Sequence, residues 1–207
     1  MREKRWFPIL YMFGVTAFFS SIIIAFASAT RGRVEANAEL AFERAVLEVV
    51  PGLSDVRLSN AEVHPRFTEM VEGPTASSGG AYLVKEDGHV VAYALPFSGQ
   101  GFWAPIGGIL GIEPDQKTVT GIAFYEQNET PGLGAEIVKP AFRNQFRGKV
   151  LAAQGKPLGM KRPGGELDDS TVHAITGATQ TSTRLDAIIN AALAEWQSKV
   201  GKEGTRS

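Results

Sequence analysis

From Trp6 to Thr30 the chain carries no charged residue, and residues 9–29 are dense in Phe, Ile, Val and Ala. At 1.5 Å rise per residue, about 20 apolar residues cross a hydrocarbon layer about 30 Å thick, so one transmembrane helix is expected here. A cleaved export signal is the competing reading, because Ala27-Ser28-Ala29 has the small residues of a cleavage site. The apolar run, however, exceeds the roughly 7–15 residues of a signal core, which favours an uncleaved anchor. Arg2, Lys4 and Arg5 crowd the short N-terminal flank, whereas Arg31 and Arg33 follow the apolar run. The positive-inside rule then keeps the N-terminus in the cytoplasm and sends the rest of the chain to the far side of the membrane.

Beyond the anchor the periodicity changes twice. Residues 34–50 place Val34, Ala38, Phe42, Ala45 and Val49 on one helical stripe, and Pro51-Gly52 ends it. Residues 53–78 are mixed, and 73–80 read as a Gly/Ser-rich loop. Residues 81–85 and 89–95 read as two strands around the tight turn Glu86-Asp87-Gly88, and 107–112 and 118–125 as two more around a turn at 113–116. The second pair lacks clean polar alternation, so a sheet covered on both faces is expected. A short helix at 140–146 and an irregular stretch at 148–165 follow. A final amphipathic helix at 181–200 aligns Leu185, Ile188, Ile189, Ala192, Leu193, Trp196 and Val200, and is expected to pack on the sheet. The order gives an α+β fold with one antiparallel-sheet domain, flanking helices and one preceding transmembrane helix. The expected boundaries are 1–30 for the anchor, 31–80 for a linker helix and loop, 81–200 for the sheet domain, and 201–207 for a polar tail.

Composition narrows the chemistry. The 207 residues include 21 basic and 22 acidic side chains, a net charge of -1 that argues against a nucleic-acid partner. With no cysteine, disulfides, thiolate zinc sites, cysteine-ligated iron–sulfur clusters and c-type haem attachment are excluded. His64, His89 and His173 do not have metal-ligand spacing, so no metal site is expected. No paired carboxylates or Ser-His-Asp set supports hydrolysis. Redox chemistry, if present, must come from an organic cofactor.

Two segments carry more than scaffold. Ile175-Thr176-Gly177-Ala178-Thr179-Gln180-Thr181-Ser182-Thr183 immediately precedes the last predicted helix. Its hydroxyls suit a helix cap, and they equally suit a phosphate group held by the unpaired amides of a helix start. Gly177 and Ala178 leave another molecule room to approach Thr179. The second segment is Glu129-Thr130-Pro131-Gly132-Leu133-Gly134. It reads as a Pro-Gly turn, in which Leu133 between two glycines is free to lie against a ring. Upstream, Gly99-Gln100-Gly101-Phe102-Trp103 sets glycines beside aromatics but departs from G-x-G-x-x-G at Ala104, which disfavours a Rossmann site. Trp103 is read as either a ring-stacking or a rim aromatic. Asn128-Glu129-Thr130 matches a glycosylation sequon by letter only.

Ile-Thr-Gly-Ala-Thr179 resembles the flavinylation motif of FMN-binding domains in ion-pumping respiratory complexes. These are the C-type subunit of the sodium-translocating NADH:quinone oxidoreductase and the G-type subunit of the Rnf electron transport complex. The block from Gly99 to Trp103, with Phe124-Tyr125-Glu126 and the run Glu129–Gly134, is most similar to the sodium-translocating enzyme, whereas the compact length is closer to the Rnf protein. The similarity extends over residues 81–196. It implies FMN joined through its phosphate to Thr179 by a flavin transferase, with Thr176, Gly177 and Ala178 completing the motif. It also implies contact from Thr130, Gly132 and Leu133, flanked by Glu129 and Gly134. The implied protein is an electron-relaying oxidoreductase subunit in the cytoplasmic (inner) membrane, single-pass, with its C-terminal domain extracytoplasmic and other membrane subunits as partners. It has no self-sufficient activity. One position departs from the motif: His173 stands where an acidic residue is usual, the nearest upstream acids being Asp168 and Asp169. A tethered binding or scaffold module without covalent flavin, and an FMN carrier for a stand-alone extracytoplasmic reductase, are the alternative readings.

Overall fold

The computed structural model describes residues 6–53 and 58–203. The basic residues Arg2, Lys4 and Arg5, and the tail beyond residue 203, lie outside the described residues. Two units divide the chain, residues 1–39 and residues 40–207.

Helix α1 spans Trp6–Glu48. Among the described residues it is the one helix long and apolar enough to cross a membrane; its most apolar window has a mean hydropathy of 2.1 and none of it is buried. The sequence separates an anchor from a helix beginning at 34, yet the backbone is helical throughout. Polarity changes at Arg31 and Arg33, but nothing there interrupts the hydrogen-bond ladder. A lone Gly32 costs only about 1 kcal/mol in a helix interior.

In the second unit, β1 (Val71–Glu72), β2 (Tyr82–Glu86), β3 (His89–Gln100), β4 (Pro105–Ile112) and β5 (Val119–Glu126) pair in sequence order, all antiparallel. Alternation along the strands divides the core in two. Leu95 and Phe97 of β3, Ile106 and Leu110 of β4 and Ile122 of β5 face Leu185, Ile189, Leu193 and Trp196 of α4 (Thr179–Glu203). Ala92 and Ala94, Ile109 and Ala123 point the other way, onto Ala45, Val46, Val49 and Val50 at the end of α1 and beyond it. The sheet is thus covered on both faces, as the lack of polar alternation implies. Trp196 is the largest fully buried side chain; its Nε1–H donates to the Ser78 carbonyl at 3.0 Å and its ring lies 5.8 Å from Tyr93.

Other elements fall outside the sequence expectations. Helix α2 (Asn60–Met70) follows Ser59, whose backbone N–H and hydroxyl both donate to Glu62 Oε2, at 2.8 and 2.6 Å. After β5, an unexpected 3-10 turn (Gly134–Val138) leads into the short helix α3 (Pro140–Arg143) and a second 3-10 turn (Asn144–Phe146), which together occupy the stretch where the sequence places a short helix, 140–146. The stretch read as irregular contains β6 (Gly159–Lys161), which pairs in parallel with β7 (Thr171–His173). Polar side chains of α4 hold this small pair to the helix. Asp186 accepts from the Met160 N–H at 3.1 Å and from the Lys156 ammonium, while Asn190 both accepts from and donates to the Leu158 backbone, at 3.0 and 2.6 Å. The pairing sets β7, and with it the loop to α4.

Candidate functional site

The two sequence segments meet at the start of α4. An open-mouthed pocket of about 200 Å³ is lined by Phe102 and Trp103 from the β3–β4 loop, Glu129, Thr130, Leu133 and Gly134 from the segment after β5, and residues 177–181. Of the residues expected from sequence, Glu129, Thr130, Leu133, Gly134, Gly177, Ala178 and Thr179 line it; Gly132 and Thr176 do not. Phe102, Gln180 and Thr181 line it without having been singled out as contacts, and Trp103 joins them. The signal for the aromatics is two adjacent exposed-type rings in a glycine-rich bend. Nothing in the spacing marks Thr181, whose partner is distant in sequence.

The turn after β5 closes when the Leu133 and Ala135 N–H groups both donate to the Thr130 carbonyl at 3.1 Å. Gly132 sits at φ +75°, in the left-handed region. This geometry leaves Leu133 43% exposed in the lining it shares with Phe102 and Trp103; those two rings are 45% and 67% exposed and make an edge contact at 5.0 Å. Three large exposed apolar side chains around one cavity form a lip suited to a flat ring.

The lining contributed by the start of α4 is polar. Helix α4 begins at Thr179, so the amides of Thr179, Gln180 and Thr181 have no partner inside the helix, and the helix dipole adds roughly half a positive charge there. Gly177 precedes it at φ +78°, and a Cβ at that position would lie 3.2 Å from Leu133. The five hydroxyls of this segment are not equivalent. Thr181 and Ser182 are each 3% exposed. The Thr181 hydroxyl donates to Glu129, and the Ser182 hydroxyl accepts from the Ile175 N–H at 3.1 Å. Thr176 and Thr183 are exposed but off the pocket. Among these five described residues, Thr179 alone is both exposed and in the pocket wall.

Glu129 joins the two walls. It is 4% exposed, and its Oε1 accepts from the Trp103 N–H at 2.9 Å while Oε2 accepts from the Thr181 hydroxyl at 2.6 Å. Burial acts to raise its pKa, but the Thr181 hydroxyl and the backbone N–H groups of Trp103, Ala104 and Phe102 outweigh burial and hold the carboxyl below its ordinary value. Glu129 is therefore an ionised, buried acceptor.

His173 is elsewhere. Its Nε2 is 2.9 Å from the Gly165 carbonyl, and its backbone N–H donates to Gln145 Oε1 at 2.8 Å. The ring ties β7 to the loop before it. Asp168, whose carboxyl is held well below the usual range chiefly by the Lys161 ammonium and the Thr171 hydroxyl, caps that same loop.

Residues 101–194 match the family described as FMN-binding domain, a span that contains every pocket residue. Over that span, which is less than half of the chain, it is similar to the FMN-binding domain family. The chain is 42% identical over 104 residues to the C-type subunit of the Na(+)-translocating NADH-quinone reductase of Pasteurella multocida, covering 49% of this chain and 40% of that relative. The corresponding protein of Neisseria meningitidis is 44% identical over 104 residues, with the same coverage. The matched stretch thus spans about 40% of the length of these curated relatives. Among solved structures, the C-type subunit of the same enzyme from Parabacteroides distasonis superposes with a TM-score of 0.70 at 24% identity, covering 82% of this chain and 96% of that one, which shows the fold. NqrC from Shewanella oneidensis gives 0.53 at 26% identity, over 76% and 77%.

Proposed function

We propose that this chain is a membrane-anchored flavoprotein subunit that carries FMN covalently through Thr179 and relays electrons in an ion-translocating respiratory oxidoreductase complex. In this reading residues 1–30 anchor it in the cytoplasmic membrane, and residues 81–200 form the flavin-carrying domain on the extracytoplasmic side. The observation that carries it is the Thr179 hydroxyl: exposed, in the pocket wall, and on the first residue of a helix whose free amides favour an anion.

The residues present fit FMN at both ends. The amides of Thr179, Gln180 and Thr181 suit a phosphate, and the exposed surfaces of Phe102, Trp103 and Leu133 suit the ring. A volume of about 200 Å³ falls below the roughly 300–1,000 Å³ of an enclosing ligand site, so part of the molecule stays uncovered. FMN, when bound, supplies the redox chemistry, and the protein sets ring position, solvent access and potential. The residues of this chain contribute position: Thr179 provides the ester oxygen, the first turn of α4 offsets the phosphate charge, and Leu133 with the aromatic lip limits where the ring lies. No acid–base step is assigned to a side chain.

That the relatives are subunits of a Na(+)-translocating reductase supports other subunits as partners, which the reading places in the membrane, and an ester at Thr179 requires a flavin transferase. Orientation rests on Arg2, Lys4 and Arg5 before the apolar run. One observation favours the second reading, a tethered module without covalent flavin. His173 occupies the motif's usual acidic position and its ring is engaged by Gly165, so no carboxylate stands there to assist a transferase.

Mass spectrometry of the full chain, co-expressed with a flavin transferase, decides between them. The expected result is a mass increment of FMN less one water, mapped to the Thr179 peptide and lost in Thr179→Ala. An unmodified, colourless chain favours the second reading, and acid-stable flavin retained in Thr179→Ala refutes the site.

A further inference from the structure

The lip and the helix start belong to segments far apart in sequence, and among the described residues no hydrogen bond links Phe102 or Trp103 directly to residues 179–181. What joins them is one side chain. The Glu129 carboxylate receives the Trp103 N–H at 2.9 Å on one oxygen, with the Ala104 N–H at 3.5 Å behind it, and the Thr181 hydroxyl at 2.6 Å on the other. The backbone is cut to admit it. A Cβ at Gly101 would lie 2.6 Å from Glu129 Oε1, and one at Gly134 would lie 2.8 Å from Oε2. Two glycines thus approach the two oxygens of one buried carboxylate. A carboxylate accepts at both oxygens and donates at neither, which matches a set made wholly of donors.

We propose that Glu129 is a positioning residue. It acts through the Trp103 backbone and the Thr181 hydroxyl to hold the aromatic lip at a fixed distance from the start of α4, so that the pocket is assembled before any ligand enters. It also occupies the Thr181 hydroxyl, so that at the start of α4 the pocket wall presents Thr179 as its exposed hydroxyl. The inference rests on the reading of the pocket as the flavin site, but the brace itself is testable without flavin.

The test compares two variants of equal bulk in the full chain. Glu129→Met keeps the volume and removes both acceptors, whereas Glu129→Gln keeps the volume and an acceptor. Hydrogen–deuterium exchange is read at the Trp103 and Ala104 amides, in flavin-loaded protein and in a flavin-free Thr179→Ala background. Glu129→Met should speed Trp103 exchange at least tenfold in both, and Glu129→Gln should stay within about threefold of wild type. In loaded protein, Glu129→Met should also at least halve the visible circular dichroism of the flavin, because a loose lip no longer fixes the ring, and Glu129→Gln should restore it. Equal behaviour of the two variants, or wild-type protection in Glu129→Met, overturns the proposal. Should Glu129→Met not fold, Thr181→Val removes one arm alone; it should speed Trp103 exchange severalfold, and unchanged exchange overturns the brace. Absence of flavin on wild-type protein counts against the flavin reading and leaves the exchange result standing.

Discussion

Gly134→Ala adds one methyl group where two side chains already meet. The new Cβ would stand 2.5 Å from Thr181 Oγ1, 2.8 Å from Glu129 Oε2 and 2.9 Å from Glu129 Cβ. None of these neighbours can swing aside freely, since Glu129 is 4% and Thr181 3% exposed, and they are hydrogen-bonded to each other. Overpacking of this kind costs about 1–3 kcal/mol. If the Glu129–Thr181 hydrogen bond breaks to make room, a charge-assisted bond adds about 1.5–3 kcal/mol. A total of about 2.5–6 kcal/mol lowers the melting temperature of a domain this size by about 5–24 °C. Gly132 is the internal control, only two positions away. A Cβ there meets nothing within 4 Å, and its φ of +75° alone sets the cost of alanine, about 1–2 kcal/mol. Thermal unfolding followed by circular dichroism should therefore rank Gly134→Ala well below Gly132→Ala. Thr181→Ala removes the nearest clash, so the double variant Gly134→Ala/Thr181→Ala should be less destabilised than the sum of the singles by at least about 1 kcal/mol. A Gly134→Ala protein as stable as Gly132→Ala, or strict additivity with Thr181→Ala, would refute the crowding at this junction.

Other outcomes follow from the same contacts. The Glu129 pKa lies below its ordinary 4.5, so its stabilising effect is present above that value and is lost as pH falls through the folded value. The stability gap between wild type and Glu129→Gln, measured by denaturant unfolding, should be widest near neutrality and close in acid; a gap independent of pH contradicts an ionised Glu129. Trp196→Ala empties the largest buried side chain and deletes its bond to Ser78, so a loss of about 3–5 kcal/mol is expected in chemical denaturation. Asn190→Ala strips two hydrogen bonds from the Leu158 backbone, at about 1 kcal/mol each. Limited proteolysis should then cut sooner within residues 153–161, and an unchanged cleavage rate argues that Asn190 does not hold β6.

Much of the fold is legible because hydrophobic spacing and turn chemistry agree. Asp87-Gly88 joins β2 to β3 with φ values of 50° and 79°, and the stripe from Leu185 to Trp196 is the face that covers the sheet. The losses have physical causes. β3 runs on to Gln100 through Pro96 and Gly99, which local propensity reads as a break; pairing with β4 as far as Gln100–Pro105 overrides it. Gly99 is small for a packing reason, since a Cβ there would lie 2.7 Å from Ile188 of α4. β6 and β7 are three residues each, and their parallel pairing depends on Asp186 and Asn190 of a helix that follows both. The site shows the same division. Its two motifs are local and visible, whereas the role of Glu129 depends on Thr181, 52 residues away.

The shape of the pocket bears on why the proposed covalent link would suit this fold. A site of about 200 Å³ with an exposed rim buries little of a large ligand, so apolar burial alone supports modest affinity. Deepening the pocket would strengthen binding but would also bury the ring edge that electron exchange needs. The ester proposed at Thr179 would separate the two demands. It would make occupancy independent of pocket depth and replace free ligand by a tethered one at a local concentration on the order of millimolar. The pocket then has only to orient, and orientation is what its rigid parts provide: a turn with Gly132 in the left-handed region, a lip held through the Trp103 amide, and a helix start held through Thr181. On this argument Leu133→Ala should leave the Thr179 peptide fully modified, because attachment does not depend on the ring contact, while the visible circular dichroism of the flavin falls as the ring loses its apolar wall. Loss of covalent occupancy in Leu133→Ala would show instead that ring contact is a precondition for attachment, and the separation of tethering from orientation would fail.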